Sequence, residues 1–268
     1  MIRLGPAGNI EQYDTISTLQ KLKDLELQAK EVEFVRQVYM KNEMAKEVGK
    51  KAEELNIKLS IHAPFFINLA SEEKDKVIAS KKRILDSCER AHYLKATHVV
   101  FHPAYFGKRD REETFEIVKN EVLDMIETIN KNGWGTKLAP ETTGKHSAFG
   151  SLDETIRLVK ETKCDICIDP AHLYARNNGN LDFKEMLDRL EVLKLKHLHF
   201  HFSAIKYSLK GEVSHLVLAE GGPKFEPFAS ELLKRKIDAT IISESPITWK
   251  DSLNMKKILE KLGYKFQP

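Results

Sequence analysis

Residues 57–103, IKLSIHAPFFINLASEEKDKVIASKKRILDSCERAHYLKATHVVFHP, decide the fold. Segments 57–62 and 97–102 are short, β-rich apolar runs. Between them, residues 72–94 repeat their apolar side chains at the helical period. Strand, helix and strand of these lengths make a parallel βαβ unit. Both strands end on a histidine, His62 and His102. The same unit recurs on either side. Further strand-length runs fall at 2–5, 30–34, 135–141, 165–169, 196–202 and 239–244, and helical periodicity fills 13–26, 43–55, 114–130, 153–162, 183–193, 225–235 and 251–262. In the first of these helices Ile16, Leu19, Leu22 and Leu25 share a face; in 114–130 the set is Phe115, Val118, Val122, Met125 and Ile129. Eight strands alternating with eight helices predict an α/β fold, a single-domain (β/α)8 TIM barrel over residues 1–268, with its active site at the C-terminal face of the strands.

Composition narrows the function class. The 268 residues carry 43 Lys+Arg against 40 Asp+Glu, a formal net charge of +3, with 41% hydrophobic residues. That composition excludes a disordered chain, and the balance excludes binding to nucleic acid by bulk basicity. Three cysteines cannot form a disulfide framework, so a reducing compartment is expected. The N-terminal MIRLGPAGN has no signal-peptide core and no run approaches a membrane span, so a cytoplasmic protein is expected. Cys164 and Cys167 form a lone C-x-x-C inside a strand and are read as structural.

From the third strand onward the C-terminal ends carry reactive side chains. They are His62, His102, Glu141, Asp169 with His172 one turn later, His199, and Glu244; the loop after the seventh strand adds Glu212 and His215. In a barrel these ends converge on one face. A histidine alone at a strand end is usually a hydrogen-bonded structural residue. Nine such groups together, with carboxylates that would repel one another, imply cations. The donors are nitrogen and oxygen without a convergent thiolate, which suits Zn²⁺, admits Mn²⁺ or Fe²⁺, and suits Mg²⁺ poorly. More than four ligands imply at least two ions, with a carboxylate such as Glu141 bridging them. Pairs of ions ~3.5–4 Å apart commonly hydrolyse phosphate esters.

The segments HAPFFINLAS, FHPAYFG, PETTGK, CIDPAHLYA, HFHFSAI and HLVLAEGG resemble the endonuclease IV-type abasic-site endonucleases of the xylose isomerase-like TIM barrel superfamily, in an archaeal-looking branch. The similarity runs from KNE at 41–43 to SES at 243–245. It implies a trinuclear zinc centre that cuts the phosphodiester 5′ to an abasic site, leaving a 3′-OH and a 5′-deoxyribose phosphate. On this resemblance His62 and His102 hold the first ion and Glu141 bridges to the second. Asp169, His199 and Glu244 complete the second, and His172 and His215 serve the third. Glu141, Asp169 and Glu244 are the catalytic carboxylates, holding the nucleophile.

Two departures stand out. Where the family has Asp-x-His after the seventh strand, this chain reads GEVSH, so Glu212 sits one place further from His215. Where the family continues His-Leu-Asn-Asp, this chain reads His199-Phe200-His201-Phe202. His197, His199 and His201 share one strand face. His199 is taken as the ligand, His201 as its supporting partner or substitute, and His197 as deeper.

The implied partner is double-stranded DNA with an abasic site, bound by a monomer through loops that enter the minor groove and extrude the damaged nucleotide. Phe65 stands where an aromatic wedge belongs, with Phe66 and Tyr105 nearby. Arg36, Lys41, Lys145, Arg176, Lys206 and Lys210 lie in or near the C-terminal-face loops as candidate phosphate contacts. Two further readings remain: a sugar or sugar-phosphate isomerase or epimerase using Glu141, Asp169, His199 and Glu244 around one divalent ion, and a degenerate barrel that binds without turnover. The additional His62, His102, His172 and His215 favour the nuclease.

Overall fold

The computed structural model describes residues 1–266. Eight strands form the barrel wall: β1 (Ile2–Pro6), β2 (Ala29–Glu33), β3 (Lys58–His62), β4 (His98–Phe101), β6 (Lys137–Pro140), β8 (Cys167–Ile168), β9 (Leu198–Phe202) and β12 (Ala239–Ser243). All of their pairings are parallel, in two four-stranded sheets ordered β1-β12-β9-β8 and β2-β3-β4-β6. Single bridges, Ala7 to Glu31 and Glu141 to Cys167, close the two seams. The (β/α)8 barrel expected from the sequence is therefore present.

The helices are α1 (Thr15–Asp24), α2 (Asn42–Glu54), α3 (Lys74–Leu94), α4 (Arg111–Lys131), α5 (Leu152–Thr162), α6 (Pro170–Arg176), α7 (Phe183–Leu190), α8 (Phe225–Arg235) and α9 (Thr248–Lys261). Local side-chain caps set the starts of five of them, α1, α4, α5, α6 and α7. Asp110 caps α4 by accepting from the Glu113 N–H, and Ser151 with Glu154 forms a full capping box on α5. Eight of these helices follow the periodicity of the sequence. The short α6 does not: it starts because Asp169 caps it and Pro170 supplies a helix-ready φ. Two antiparallel strand pairs decorate the C-terminal face and were not expected: the long-range pair β5 (Ala104–Tyr105) with β7 (Ala148–Phe149), and the hairpin β10 (Ala204–Ser208) with β11 (Gly211–Leu216).

Strand alternation divides the core into two environments. Leu59, Ile61, Val99, Phe101, Leu138, Ile168, Phe200 and Ile241 belong to one large apolar cluster between strands and helices. Phe200 and Phe202, for example, pack on Phe228 of α8. Each such side chain, fully buried, contributes about 1.5–3 kcal/mol of hydrophobic stabilisation. The residues between them face the barrel axis and are largely polar: Glu31, Ser60, His98, Cys167, His199 and His201 are all buried. Stability thus comes from the outer layer, which leaves the interior free to hold ionisable groups. At Gly5 a β-carbon would lie 1.7 Å from the Ala29 carbonyl oxygen, so only glycine allows β1 to approach β2.

Candidate metal centre

Parallel register brings the strand ends to one level. Glu33 pairs with His62, and the residues just past β4, β6, β8 and β12 are His102, Glu141, Asp169 and Glu244. Glu141 stands at the middle. Its Oε2 lies 3.2 Å from His62 Nε2 and 2.9 Å from His102 Nε2, and its Oε1 lies 3.1 Å from His172 Nδ1 and 3.2 Å from His201 Nδ1. Burial alone would raise the pKa of Glu141. The surrounding imidazoles, His102 and His201 foremost, instead hold it well below the usual carboxylate range.

Asp169 does two things with one carboxylate. Its Oδ1 accepts from the N–H groups of Ala171 and His172, which fixes the start of α6. Its Oδ2 is buried and makes no hydrogen bond, with His172 Nδ1 at 3.4 Å as its nearest ion-pair partner, a state that a cation against it would relieve. His172, one turn along α6, is 3.2 Å from His215 Nε2 and 3.6 Å from Glu212 Oε2 through its own Nε2. His62 Nδ1 faces the Ala63 carbonyl at 2.8 Å, and His172 Nδ1 faces the Thr142 carbonyl at 2.9 Å. Each carbonyl accepts the Nδ1 proton, so a cation bound at Nε2 would meet the lone pair of either ring once the Nε2 proton is displaced.

Among the described residues five donor groups have ligand atoms within 4.8 Å of one another, and three of them adjoin around Glu141 and Asp169: His62, His102 and Glu141; Glu141, Asp169, His201 and Glu244; Asp169, His172 and His215. Glu141 belongs to the first two and Asp169 to the last two. The set is nitrogen and oxygen only, and its orphaned buried oxygen on Asp169 asks for a cation, so divalent ions of the zinc kind fit.

The expected ligand His199 is not in these three groups. It lies one level deeper, with Nε2 3.2 Å from Glu31 Oε2 and its ring stacked 5.1 Å from that of His98. His201 takes its place at the level of Glu141 and Glu244, because two residues along a strand is one full inward step. Glu212, expected as a ligand, belongs to none of these donor groups, although it still lies at the bowl. In the β10–β11 hairpin Tyr207 pairs with Glu212 and Ile205 with His215, with a register irregularity between, and both side chains reach the bowl. Gly144 makes room: a β-carbon there would lie 2.6 Å from that of Glu212.

Arg176, expected among the phosphate contacts, is only 7% exposed. Its Nη1 donates to the carbonyl oxygens of Thr143, Lys145 and Ala148, bracing the loop after β6 from below. Phe65, Tyr105 and Lys145 do line the bowl, a cavity of about 580 Å³, while Arg36 and Lys41 are exposed on the loop after β2 and lie outside it. Lys206 and Lys210 are exposed on the β10–β11 hairpin. Two carboxylates, Glu31 buried and Glu33 half-buried, escaped the sequence reading. Glu31 and Glu33 of β2 face the axis, and Glu33 is raised to about 7 by burial and then by Glu244. Charged residues at alternate positions of a strand-length run were the available signal. No helix among the described residues is long and apolar enough to cross a membrane.

A family model described as "Xylose isomerase-like TIM barrel" matches residues 19–262. The chain is 35% identical to an uncharacterised protein of Methanocaldococcus jannaschii over 98% of both chains. It is 26% identical to a probable endonuclease 4 of Thermoplasma volcanium, covering 76% of this chain and 73% of that one. An apurinic-apyrimidinic endonuclease of Caenorhabditis elegans is 28% identical over 50% of this chain, which spans only 34% of that protein. Among solved structures, endonuclease IV from Thermus thermophilus superposes with a TM-score of 0.76 at 20% identity, over 97% of this chain and 99% of that one. A D-tagatose 3-epimerase-like protein superposes with 0.73 at 21% identity, over 97% and 96%. At these identities the superpositions show a shared fold.

Proposed function

The chain belongs to the xylose isomerase-like TIM barrel family, and we propose that within it this protein is a zinc-dependent abasic-site endonuclease, cutting duplex DNA 5′ to the lesion to leave a 3′-OH and a 5′-deoxyribose phosphate. The observation that carries the reading is the sharing of Glu141 and Asp169 among three adjoining donor groups. One ion needs one such group, so three joined groups suit a multi-ion phosphodiesterase. Divalent ions bound there supply Lewis acidity against charge developing on phosphate oxygens and acidify the attacking water.

The protein's own side chains do the positioning. Glu141 and Asp169 each span two groups and so set the spacing between them. His62, His102, His172 and His215 surround the mouth of the bowl with nitrogen donors. Glu244 and His201 hold the inner side, 3.1 Å apart. Phe65, 55% exposed on the loop after β3 and 6.1 Å from the His62 ring, is placed to fill the gap left by an extruded nucleotide. Lys145 and Tyr105 line the same bowl and can meet the phosphate and sugar.

A second reading has a specific observation in its favour. Glu141, Asp169, His201 and Glu244 form by themselves a complete three-carboxylate, one-imidazole set, enough for a single-ion epimerase acting on a sugar. One experiment separates the two. Metal is counted in the purified protein, and the protein is then incubated with a duplex holding one abasic site and with ketohexoses. Two or three zinc equivalents with incision 5′ to the lesion support the nuclease; one equivalent with epimerised sugar and intact DNA sinks it.

A further inference from the structure

Glu31 is fully buried on the barrel axis, with a carboxylate oxygen within 4.8 Å of ones from Glu33 and Glu244 at the floor of the bowl. Its Oε2 accepts from Ser60 Oγ at 2.7 Å and stands 3.2 Å from His199 Nε2. Its Oε1 lies 2.8 Å from His201 Nε2, yet neither of these two buried atoms completes a well-aligned hydrogen bond. The other nitrogen of that ring, His201 Nδ1, looks upward to Glu141 Oε1 and Glu244 Oε1 at 3.2 and 3.1 Å.

An imidazole has one proton to place between its two nitrogens. If Nδ1 gives its lone pair to a cation among Glu141, Asp169 and Glu244, the proton must sit on Nε2. The carboxylate oxygen facing that nitrogen is Glu31 Oε1. We propose that Glu31 is a positioning residue of the metal centre: it accepts the Nε2 proton of His201, fixes that ring's tautomer and orientation, and is itself held by Ser60 and His199. This role rests on the metal-centre reading above. It also explains the deeper histidine, which belongs to a chain from His199 through Glu31 to His201 and ends at the ion. A carboxylate behind a ligating imidazole makes the ring a stronger donor, and loss of such a partner costs about 10–100-fold in metal affinity.

The competing arrangement puts an ion lower in the barrel, between Cys167, His199 and His201, whose ligand atoms also lie within 4.8 Å of one another. Cobalt(II) titration of the purified protein distinguishes the two. In Glu31→Gln, one bound equivalent should weaken about 10–100-fold and its visible d–d bands should shift, with Glu31→Asp recovering part of the loss. In a His201→Ala background, Glu31→Gln should have little further effect, because both changes act on one interaction. Should Glu31→Gln not fold, Ser60→Ala is the milder probe, with a smaller loss of the same sign. Unchanged affinity and spectrum in Glu31→Gln, or an additive loss in the double variant, would overturn the proposal. A thiolate-to-cobalt charge-transfer band would overturn it too, by placing the ion on Cys167. No cobalt bound by the unaltered protein would overturn both this role and the metal centre itself.

Discussion

Glu141 Oε2 lies 2.9 Å from His102 Nε2, and the same oxygen is 3.2 Å from His62 Nε2. One carboxylate oxygen shared by two imidazoles, with its twin shared by two more, is a junction whose charge the whole bowl depends on. Replacing Glu141 with Gln keeps the size and removes the charge. Incision at an abasic site should fall by more than about a hundredfold, the upper end of what losing a supporting contact costs. Circular dichroism should be unchanged, since the apolar core lies outside the strands. Activity within tenfold of the unaltered protein would remove Glu141 from the bridging position.

The exchange of His199 for His201 makes a sharper test. His201→Ala should lower the zinc content by one equivalent, measured by elemental analysis after dialysis. His199→Gln should retain the full count, because that ring touches Glu31 rather than Glu141 or Glu244. The reverse pattern would restore His199 as the ligand.

That exchange shows where sequence reading stops. The eight strands, eight of the helices and the closed barrel were legible because short apolar runs and period-3.6 patterns follow from burial, which the order of residues records directly. The bowl was legible because His62, His102, Glu141, Asp169 and Glu244 all end strands. The depth of a side chain within the barrel was not. In HFHF both histidines face inward, and only the pairing of Cys167 with His199 shows which level each occupies. Glu31 and Glu33 were hidden by the same ambiguity, since a charge in a strand can be an edge residue or an axial one. Arg176 misled for a related reason: a guanidinium near a functional loop reads as exposed until its carbonyl partners are seen.

Lys30, next to Glu31, is fully buried, and its ammonium donates to the Gly8 and Glu31 carbonyl oxygens. Burial pushes its pKa down to about 8, against the opposing pull of Glu33 and Glu31. Its folded value thus lies below its unfolded value, and between the two the unfolded chain binds more protons. Unfolding free energy should therefore rise with pH from about 8 to about 10.4 and level off above, by roughly 3 kcal/mol at most. Below that window the burial penalty is fully present. Urea denaturation at a series of pH values, compared with Lys30→Met, checks this. A difference between the two proteins that stays flat across the window would refute it.

Arg176 and Lys145 should part in their effects, although both flank the loop after β6. Arg176 is buried and donates to three carbonyl oxygens of that loop, so Arg176→Ala removes three charge-assisted bonds, although the Lys145 carbonyl keeps its bond from the Ala148 N–H. A loss of about 2–3 kcal/mol in stability is expected. Lys145 is exposed at the bowl, its own ammonium free of any acidic partner among the described residues. Lys145→Ala should leave the melting temperature within a degree or so, weaken abasic-duplex binding, and reduce the slope of log affinity against log salt by about one. Denaturation curves and binding isotherms at several salt concentrations measure both quantities on the same two variants. If Arg176→Ala lowers the salt slope without loss of stability, the guanidinium faces DNA after all and the bracing role is wrong.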